Sequence, residues 1–362
     1  MQRPWTSITL IALLTIACIE ILQARSAITT TSTQKNETEQ LRSVVQRQFQ
    51  CLDFPFPAQY NRQVEQIILS YLLPGRRATE YVLGRSALYF PIFEHYLKAK
   101  QLPLELKYIP FIESRLQPYA QSSVGAMGLW QFMPATARQY RLKTSSELDE
   151  RLDPHRATEA AVELLAQLYD EFGDWSLALA AYNCGPGRVR KAMRETGCDT
   201  FWDIQGLLPR QTQRYIPAFL AAIYVAQYYM AHDINPKAPR HLPVDNYSLK
   251  VHQRLTFEQI AATYDLSVDV IRRLNPGYIK RVVPSSGQGR YIILPAATVN
   301  RIAEGVAYGG SPVNASEVLV HHPPPTVLPA YKNMAPHQTE EISIQELCEA
   351  WCLLPAKPVI SC

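Results

Sequence analysis

A carboxylate in the first half of the sequence falls in a run that is otherwise mostly apolar. Helical spacing places Glu113 in line with Leu102, Leu106 and Ile109, so its side chain is directed toward a core-facing side. Burial disfavours the charged form of a carboxyl group and raises its pKa, so the group holds a proton near neutral pH. Such a group suits general acid catalysis at a glycosidic oxygen. For Glu113 taken alone, a glutamate paired for structural reasons is the simpler alternative.

Short polar and glycine-containing motifs follow Glu113 at intervals along the chain. They are Ser114, Ser122, the run Gly125-Ala126-Met127-Gly128-Leu129-Trp130-Gln131, the run Ala181-Tyr182-Asn183, and Tyr215 shortly before a proline. Taken alone, Gln131 could cap a following helix, Tyr182 could be a core aromatic residue and Asn183 could end a helix. The glycines are expected to shape a tight turn. The joint occurrence of these motifs with Glu113 favours a substrate-binding cleft.

The stretch from about Leu88 to Tyr229 resembles the catalytic domain of the lytic murein transglycosylases, most closely the D type, which carries C-terminal LysM modules. The resemblance covers several motifs in the right order, which makes it more specific than a single short pattern. It implies that Glu113 is the catalytic acid and base. The substrate-binding residues that it implies are Ser114, Ser122, Gln131, Tyr182, Asn183 and Tyr215. Cys184 departs modestly from the pattern, because a small residue often follows the Ala-Tyr-Asn motif.

The implied reaction is cleavage of the β-1,4 bond between N-acetylmuramic acid and N-acetylglucosamine without water, which leaves 1,6-anhydro ends. The implied partner is the peptidoglycan glycan strand, and no metal or organic cofactor is implied. One alternative is a hydrolytic muramidase of the goose-lysozyme type, which uses extra acidic residues such as Asp149, Glu150 and Asp153 to direct water. These acids precede a predicted helix, where capping is the simpler use. A second alternative is a non-catalytic peptidoglycan-binding protein.

Helix signals position these motifs and predict a mainly α, lysozyme-like domain. Asp153 followed by a proline predicts a helix start, and an apolar face follows from Ala157 to Phe172. Asp174 is expected to cap a helix that runs to Asn183. A last long apolar helix is predicted from about Thr212 to Met230.

Beyond a proline-containing linker, residues 246–296 resemble a LysM module with a βααβ order. The strands are predicted around Tyr247 to Val251 and Tyr291 to Leu294, and the helices at Phe257 to Tyr264 and Val268 to Leu274. The usual Gly-Asp-Thr-Leu turn is replaced by Gln253-Arg254-Leu255-Thr256, which weakens the expectation that the module binds glycan. We expect a small separate α+β domain. If it tethers the enzyme, its removal after Ala238 should spare cleavage of soluble fragments.

Composition and the chain termini bound the remaining possibilities. A formal charge of +4 is too mild to indicate nucleic acid. The first residues resemble a secretory signal peptide, with Arg3 before an apolar run and small residues around Ala24, so the chain is expected to be exported to the periplasm or cell envelope. Lipidation at Cys18 is the alternative. The seven cysteines lack the spacing of a zinc site.

The sequence thus predicts five segments along the chain. They are a signal peptide at 1–24, a linker with N-terminal helices at 25–85, a catalytic domain at 86–234, the LysM-like module at 246–296, and a proline-rich tail without an assigned function at 297–362.

Overall fold

The computed structural model describes residues 36–239, residues 245–303 and the backbone of residues 315–321. The predicted signal peptide and Cys18 therefore lie outside the described residues. The chain divides into two units, one formed by residues 1–52 with 356–362 and one by residues 53–355. In the first unit, residues 36–50 form helix α1. Among the described residues, no helix combines the length and the apolarity that a bilayer crossing requires.

The first part of the second unit is helical, which confirms the mainly α class. Its α-helices are α2 (Arg62–Leu72), α3 (Arg76–Ala99), α4 (Ile109–Ser114), α5 (Pro134–Gln139), α6 (Pro154–Phe172), α7 (Trp175–Cys184), α8 (Pro186–Thr196), α9 (Phe201–Ile204), α10 (Arg210–Gln213) and α11 (Tyr215–Tyr228). Three short 3₁₀ helices complete it, at Leu104–Tyr108, Gln205–Leu207 and Met230–His232.

The predicted capping residues begin and end the helices that carry the site. The Asp153 carboxylate accepts hydrogen bonds from the backbone at the start of α6, and Gly173 ends that helix with a φ of 66°. Asp174 then caps α7. The helix starts predicted at Asp153 and Asp174 are confirmed. Their effect is that α6 and α7 are joined by a short connection and pack against each other.

A fully buried tryptophan fixes the glycine-containing segment to the helical core. The Trp130 indole N–H donates a hydrogen bond to the hydroxyl of Thr158 on α6 at 2.9 Å. Its ring packs against the ring of Phe93 on α3, with centroids 5.1 Å apart. A buried indole that is also hydrogen-bonded has one orientation. The segment from Gly125 to Gln131 is thereby held between α3 and α6.

The C-terminal module contains the predicted strands and helices together with further elements. Its elements are β1 (Asn246–Val251), β2 (Leu255–Thr256), α12 (Phe257–Tyr264), α13 (Val268–Leu274), β3 (Val282–Val283), β4 (Arg290–Pro295), α14 (Ala296–Ala303) and β5 (Ala315–His321). Strand β1 pairs antiparallel with β4 on one side and with β5 on the other. Strand β5 was not predicted, and it lies in the segment that the sequence assigned to the proline-rich tail. Its pairing with β1 is a long-range contact that local composition does not encode.

The module packs directly against the segment that precedes α6. Leu148, which precedes α6, belongs to the same buried cluster as the apolar residues of the module. The backbone N–H of Asp149 donates to the carbonyl of Gly277 at 2.9 Å, and that of Ile279 donates to the carbonyl of Glu147 at 2.9 Å. These contacts place the LysM-like residues and the segment before α6 in one continuous structure.

Candidate active site

Glu113 and Tyr215, which lie far apart in sequence, form a direct hydrogen bond. The Tyr215 hydroxyl, at the first turn of α11, donates to Oε1 of Glu113 at 2.7 Å. Glu113 lies on the short helix α4, which ends where Arg115 and Leu116 both take positive φ angles of 53° and 55°. Non-glycine residues in this region are uncommon and concentrate at functional sites. The sharp end of α4 places Glu113 at the edge of the core, partly buried.

The environment of Glu113 favours its protonated form. Burial removes the solvation of the carboxylate and raises the pKa of Glu113 to about 7, while the hydrogen bond from Tyr215 lowers it in part. Within the part of the chain that the structure describes, Glu113 has no ion-pair partner. Among these residues, Glu113 is therefore not a buried glutamate that an ion pair holds for structural reasons. A carboxyl group in this state can donate a proton at neutral pH.

Tyr182 is the third polar side chain of this cluster. Its hydroxyl donates a hydrogen bond to the carbonyl oxygen of Trp130 at 2.7 Å. Burial, followed by the charge of Glu113, raises the pKa of Tyr182 well above its ordinary value. The same two causes, and then the charge of Tyr182, raise the pKa of Tyr215. Both phenols are therefore neutral hydrogen-bonding groups beside the carboxyl group, and the predicted grouping of Glu113, Tyr182 and Tyr215 is present.

Ser122 and Gln131 shape the turn that runs beside this cluster. The hydroxyl of Ser122 accepts from the backbone N–H of Ala126 at 2.9 Å. The side-chain amide of Gln131 donates to the carbonyls of Ala120 at 3.1 Å and Gly128 at 2.8 Å. Gln131 does not cap the next helix, because no side chain caps α5. Its amide N–H groups stabilise the turn, and its own φ is 53°.

Gly128 is required at its position, and this can be tested against a neighbouring glycine. Its φ is 84°, and a Cβ added there would lie 1.9 Å from the carbonyl oxygen of Arg151. We expect Gly128→Ala to lower the free energy of unfolding by about 2–5 kcal/mol through strain and overlap. Gly125→Ala is the matched control, since Gly125 has a φ of 87° with nothing within 4 Å of its added Cβ, and its cost should be about 1–2 kcal/mol. Equal losses in urea unfolding would contradict the close approach to Arg151.

The last two predicted site residues, Asn183 and Ser114, differ in their positions and contacts. The Asn183 side chain lies at the end of α7, partly buried, and its Oδ1 accepts from the hydroxyl of Thr212 at 2.8 Å. Asn183 is next to Tyr182 in sequence and can present its amide N–H group toward a ligand. Ser114 is buried, and its hydroxyl donates to the carbonyl of Pro110 at 3.0 Å. Ser114 therefore stabilises the end of α4 and does not join the cluster.

The acidic residues before α6 are engaged in other contacts. Asp153 caps α6 and is buried, and burial raises its pKa to about 6. Asp149 forms an ion pair with Arg151 at 2.7 Å. Glu150 forms a buried ion pair with Arg290 of the module at 2.7 Å. The capping interpretation of Asp153 is confirmed, and all three carboxylates are directed to structural partners. Neither arginine partner was predicted from the sequence. Arg151 follows Glu150 directly and Arg290 lies far beyond it, so spacing along the chain did not indicate either ion pair.

Comparisons with known proteins identify the domains that this chain shares with other proteins. The family model for the transglycosylase SLT domain matches residues 90–205, and the model for the LysM-like domain of lytic transglycosylase MltD matches residues 248–307. The membrane-bound lytic murein transglycosylase D of Escherichia coli K12 is 32% identical over 223 residues, which cover 59% of this chain and 47% of that protein. The soluble lytic murein transglycosylase of the same strain is 30% identical over 150 residues, which cover 39% of this chain and 23% of that protein.

Among solved structures, the crystal structure of the 70 kDa soluble lytic transglycosylase of Escherichia coli matches with 28% identity and a TM-score of 0.33. That match covers 38% of this chain and 24% of the solved chain. The chain thus spans less than half the length of the two curated relatives described above. It carries a transglycosylase SLT domain followed by an MltD-type LysM-like domain, and it is homologous to membrane-bound lytic murein transglycosylase D.

Proposed function

We propose that this chain is a peptidoglycan lytic transglycosylase in which Glu113 is the catalytic acid and base. The observation that carries the proposal is the Glu113 carboxyl group, which burial keeps protonated near neutral pH and which Tyr215 contacts directly. A proton donor of this kind suits the oxygen of a glycosidic bond. The homology to lytic murein transglycosylase D supports N-acetylmuramic acid linked to N-acetylglucosamine as the substrate.

The reaction needs only one carboxyl group because the substrate supplies the nucleophile. Glu113 donates its proton to the leaving oxygen as the bond to C1 of N-acetylmuramic acid breaks. The resulting carboxylate accepts the proton of the C6 hydroxyl as that oxygen bonds to C1, which closes the 1,6-anhydro ring and restores Glu113. Holding C6 against C1 within one sugar supplies effective molarity worth about 7 kcal/mol or more. The hydrogen bond from Tyr215 stabilises the carboxylate between the two proton transfers.

The neighbouring polar groups are proposed to orient the sugar. Tyr182 and Asn183 lie at the end of α7. Tyr182 is beside Glu113, and Asn183 contacts Thr212 of α10. They can position the N-acetyl group of the substrate, whose oxygen offsets the positive charge that develops at C1. The turn held by Ser122 and Gln131 supplies backbone groups along the same edge.

Hydrolysis is the alternative reaction, and the contacts of the other acids argue against it. Conventional glycosidases need a second carboxylate to act as a base or nucleophile. The three candidates, Asp149, Glu150 and Asp153, are directed to arginines or to a helix N-terminus. Mass spectrometry of the sugar ends after digestion of peptidoglycan tests the proposal. We expect 1,6-anhydro ends; reducing ends would identify a hydrolase, and intact glycan would identify a binding protein.

Tyr215→Phe should change both the rate and its pH dependence. Without the hydrogen bond that favours the carboxylate, the pKa of Glu113 rises above about 7, so the proton-donating form persists to higher pH. The alkaline limb of the pH profile of kcat/KM should therefore shift to higher pH. The rate below that limb should fall by about tenfold, because the carboxylate formed in the reaction loses a charge-assisted hydrogen bond. Tyr169→Phe, on α6, is the control, and an unmoved limb in Tyr215→Phe would contradict the assigned contact.

The proposed place of action is the cell envelope, where the substrate lies. The relative is named a membrane-bound enzyme, and the N-terminal sequence of this chain resembles an export signal. Export with cleavage near Ala24 and lipidation at Cys18 are both compatible with that place. Mass spectrometry of the mature N-terminus separates them, since only lipidation leaves an acylated cysteine as the first residue.

A further inference from the structure

Arg151 connects the glycine-containing turn of the site to an acidic partner. Its guanidinium donates to both carboxylate oxygens of Asp149, at 3.0 and 2.7 Å. The same group donates to the carbonyl of Gly125 at 3.3 Å and to the sulfur of Met127 at 3.1 Å. Its own carbonyl oxygen lies against the Cα of Gly128, where no Cβ fits. Arg151 therefore contacts the turn at three of its positions, with a side chain that is 11% exposed.

The LysM-like module fixes the acidic partner of Arg151. The backbone N–H of Asp149 donates to the carbonyl of Gly277 at 2.9 Å, and Asp149 is itself buried. A Cβ added to Gly277 would lie 2.9 Å from the Cβ of Asp153, so this part of the module is in close contact with the segment before α6. The contacts form a continuous series from the module to Asp149, then to Arg151, and then to the turn beside Glu113.

We propose that Arg151 is a positioning residue for the reaction, which holds the Gly125–Gln131 turn in its reactive geometry and does so only while the LysM-like module holds Asp149. This inference rests on the proposed transglycosylase function. It gives the module a role in catalysis that is independent of glycan binding by the module. The module acts through backbone and charge contacts, and Arg151 itself does not touch the substrate.

An arginine is needed because the contacts have different directions. A planar guanidinium binds the Asp149 carboxylate with two N–H groups and still has donors for Gly125 and Met127, whereas a lysine ammonium on a flexible stem cannot hold this arrangement. Arg151→Lys keeps the positive charge opposite Asp149 but releases the turn. A misplacement of about 1 Å in an active site can cost about 10²-fold in rate. We expect kcat/KM of Arg151→Lys to fall by about 10- to 100-fold.

The test is a double-mutant cycle in the full chain, with peptidoglycan as the substrate and anhydro-ended products counted. Arg151→Lys, Gln131→Ala and the double variant are compared with the wild type. If Arg151 acts through the turn, Arg151→Lys should cost little once Gln131, which closes that turn, has been removed. Losses that multiply would overturn the proposal, because they would mean that Arg151 acts independently of the turn. Unchanged kcat/KM in Arg151→Lys would also overturn it.

Two further variants keep the test decisive. Arg156→Lys is the control, since Arg156 pairs with Glu150 and Glu159 in the same segment and should retain wild-type kcat/KM. Asp149→Asn replaces Arg151→Lys if that variant does not fold, because it keeps the size of the side chain and weakens the hold on Arg151. The loss of kcat/KM in Asp149→Asn should also disappear in the Gln131→Ala background, and losses that multiply would again reject the proposal. Failure of the proposed function is separate, since the wild type itself would then give no anhydro ends.

Discussion

Glu113→Gln should abolish cleavage of peptidoglycan while leaving the protein folded. The amide has the shape of the carboxyl group and can accept the hydrogen bond from Tyr215, but it can neither donate a proton to the leaving oxygen nor accept one from the C6 hydroxyl. General acid–base catalysis contributes about 10²–10⁴-fold, and here one residue performs both steps, so we expect a loss of about 10³-fold or more. The measurement is the rate at which purified variant and wild type release soluble anhydro-ended fragments.

Loss of folding will not explain this result, because the substitution should stabilise the protein above neutral pH. The folded state holds the proton of Glu113 with a pKa of about 7, above the ordinary value of 4.5. The folded state therefore binds more protons than the unfolded chain between these two values, and stability falls as the pH rises through that window. Glutamine carries no such cost. Its thermal midpoint at pH 8 should equal or exceed that of the wild type.

Glu105→Gln provides the matched control for the charge change. Glu105 lies on the 3₁₀ helix Leu104–Tyr108, just before the helix that carries Glu113. Its substitution should leave the rate unchanged. Wild-type digestion by Glu113→Gln, or an equal loss in both variants, would reject Glu113 as the catalytic group.

Deletion of all residues after Ala238 should destroy activity on soluble glycan fragments as well as on insoluble cell wall. This reverses the expectation drawn from sequence, which treated the module as a separate tether. The deletion removes Arg290, the closer of the two arginines that pair with Glu150, and losing a partner of a buried ion pair costs up to about 3–5 kcal/mol. It also exposes Leu148, whose burial contributes about 1.5–3 kcal/mol. These losses approach the whole stability of an ordinary domain, which is about 5–15 kcal/mol.

A second truncation and a point variant identify the cause of that loss. Truncation after His321 keeps every described residue and should retain cleavage. Arg290→Met removes only the module's side of the ion pair, and it should lower the thermal midpoint while leaving the module covalently present. Differential scanning calorimetry and digestion of soluble fragments measure both effects. A chain ending at Ala238 that melts cooperatively near the wild-type temperature and cuts soluble fragments at the wild-type rate would contradict the docked module.

Local sequence signals predicted the helices and the inward position of Glu113 well. The caps of α6 and α7 follow from Asp153, Gly173 and Asp174, because the hydrogen bonds at helix ends are local. The contact between Glu113 and Tyr215 spans 102 residues, and only the order of motifs in the resembling family suggested it. Helical spacing alone identified Glu113 as unusual and did not identify its partner.

The contacts that sequence did not predict are long-range and electrostatic. Glu150 and Arg290 are 140 residues apart, and nothing in the local pattern of either segment distinguishes a buried pair from two solvated charges. Strand β5 pairs with β1, although β5 lies in the segment that its proline-rich composition predicted to be a tail. The role of Arg151 depends on its distance from Gly125, which no periodicity encodes. Tertiary packing, rather than propensity, determines all three.

Direct titration of Glu113 tests whether this carboxyl group retains its proton into the neutral range. Carbon NMR of protein labelled at the glutamate carboxyl groups resolves this residue as the resonance that is lost in Glu113→Gln. We expect its midpoint near pH 7, where burial places it. A midpoint at the ordinary value of 4.5 would mean that Glu113 is ionised under working conditions, and it would contradict the proposed acid.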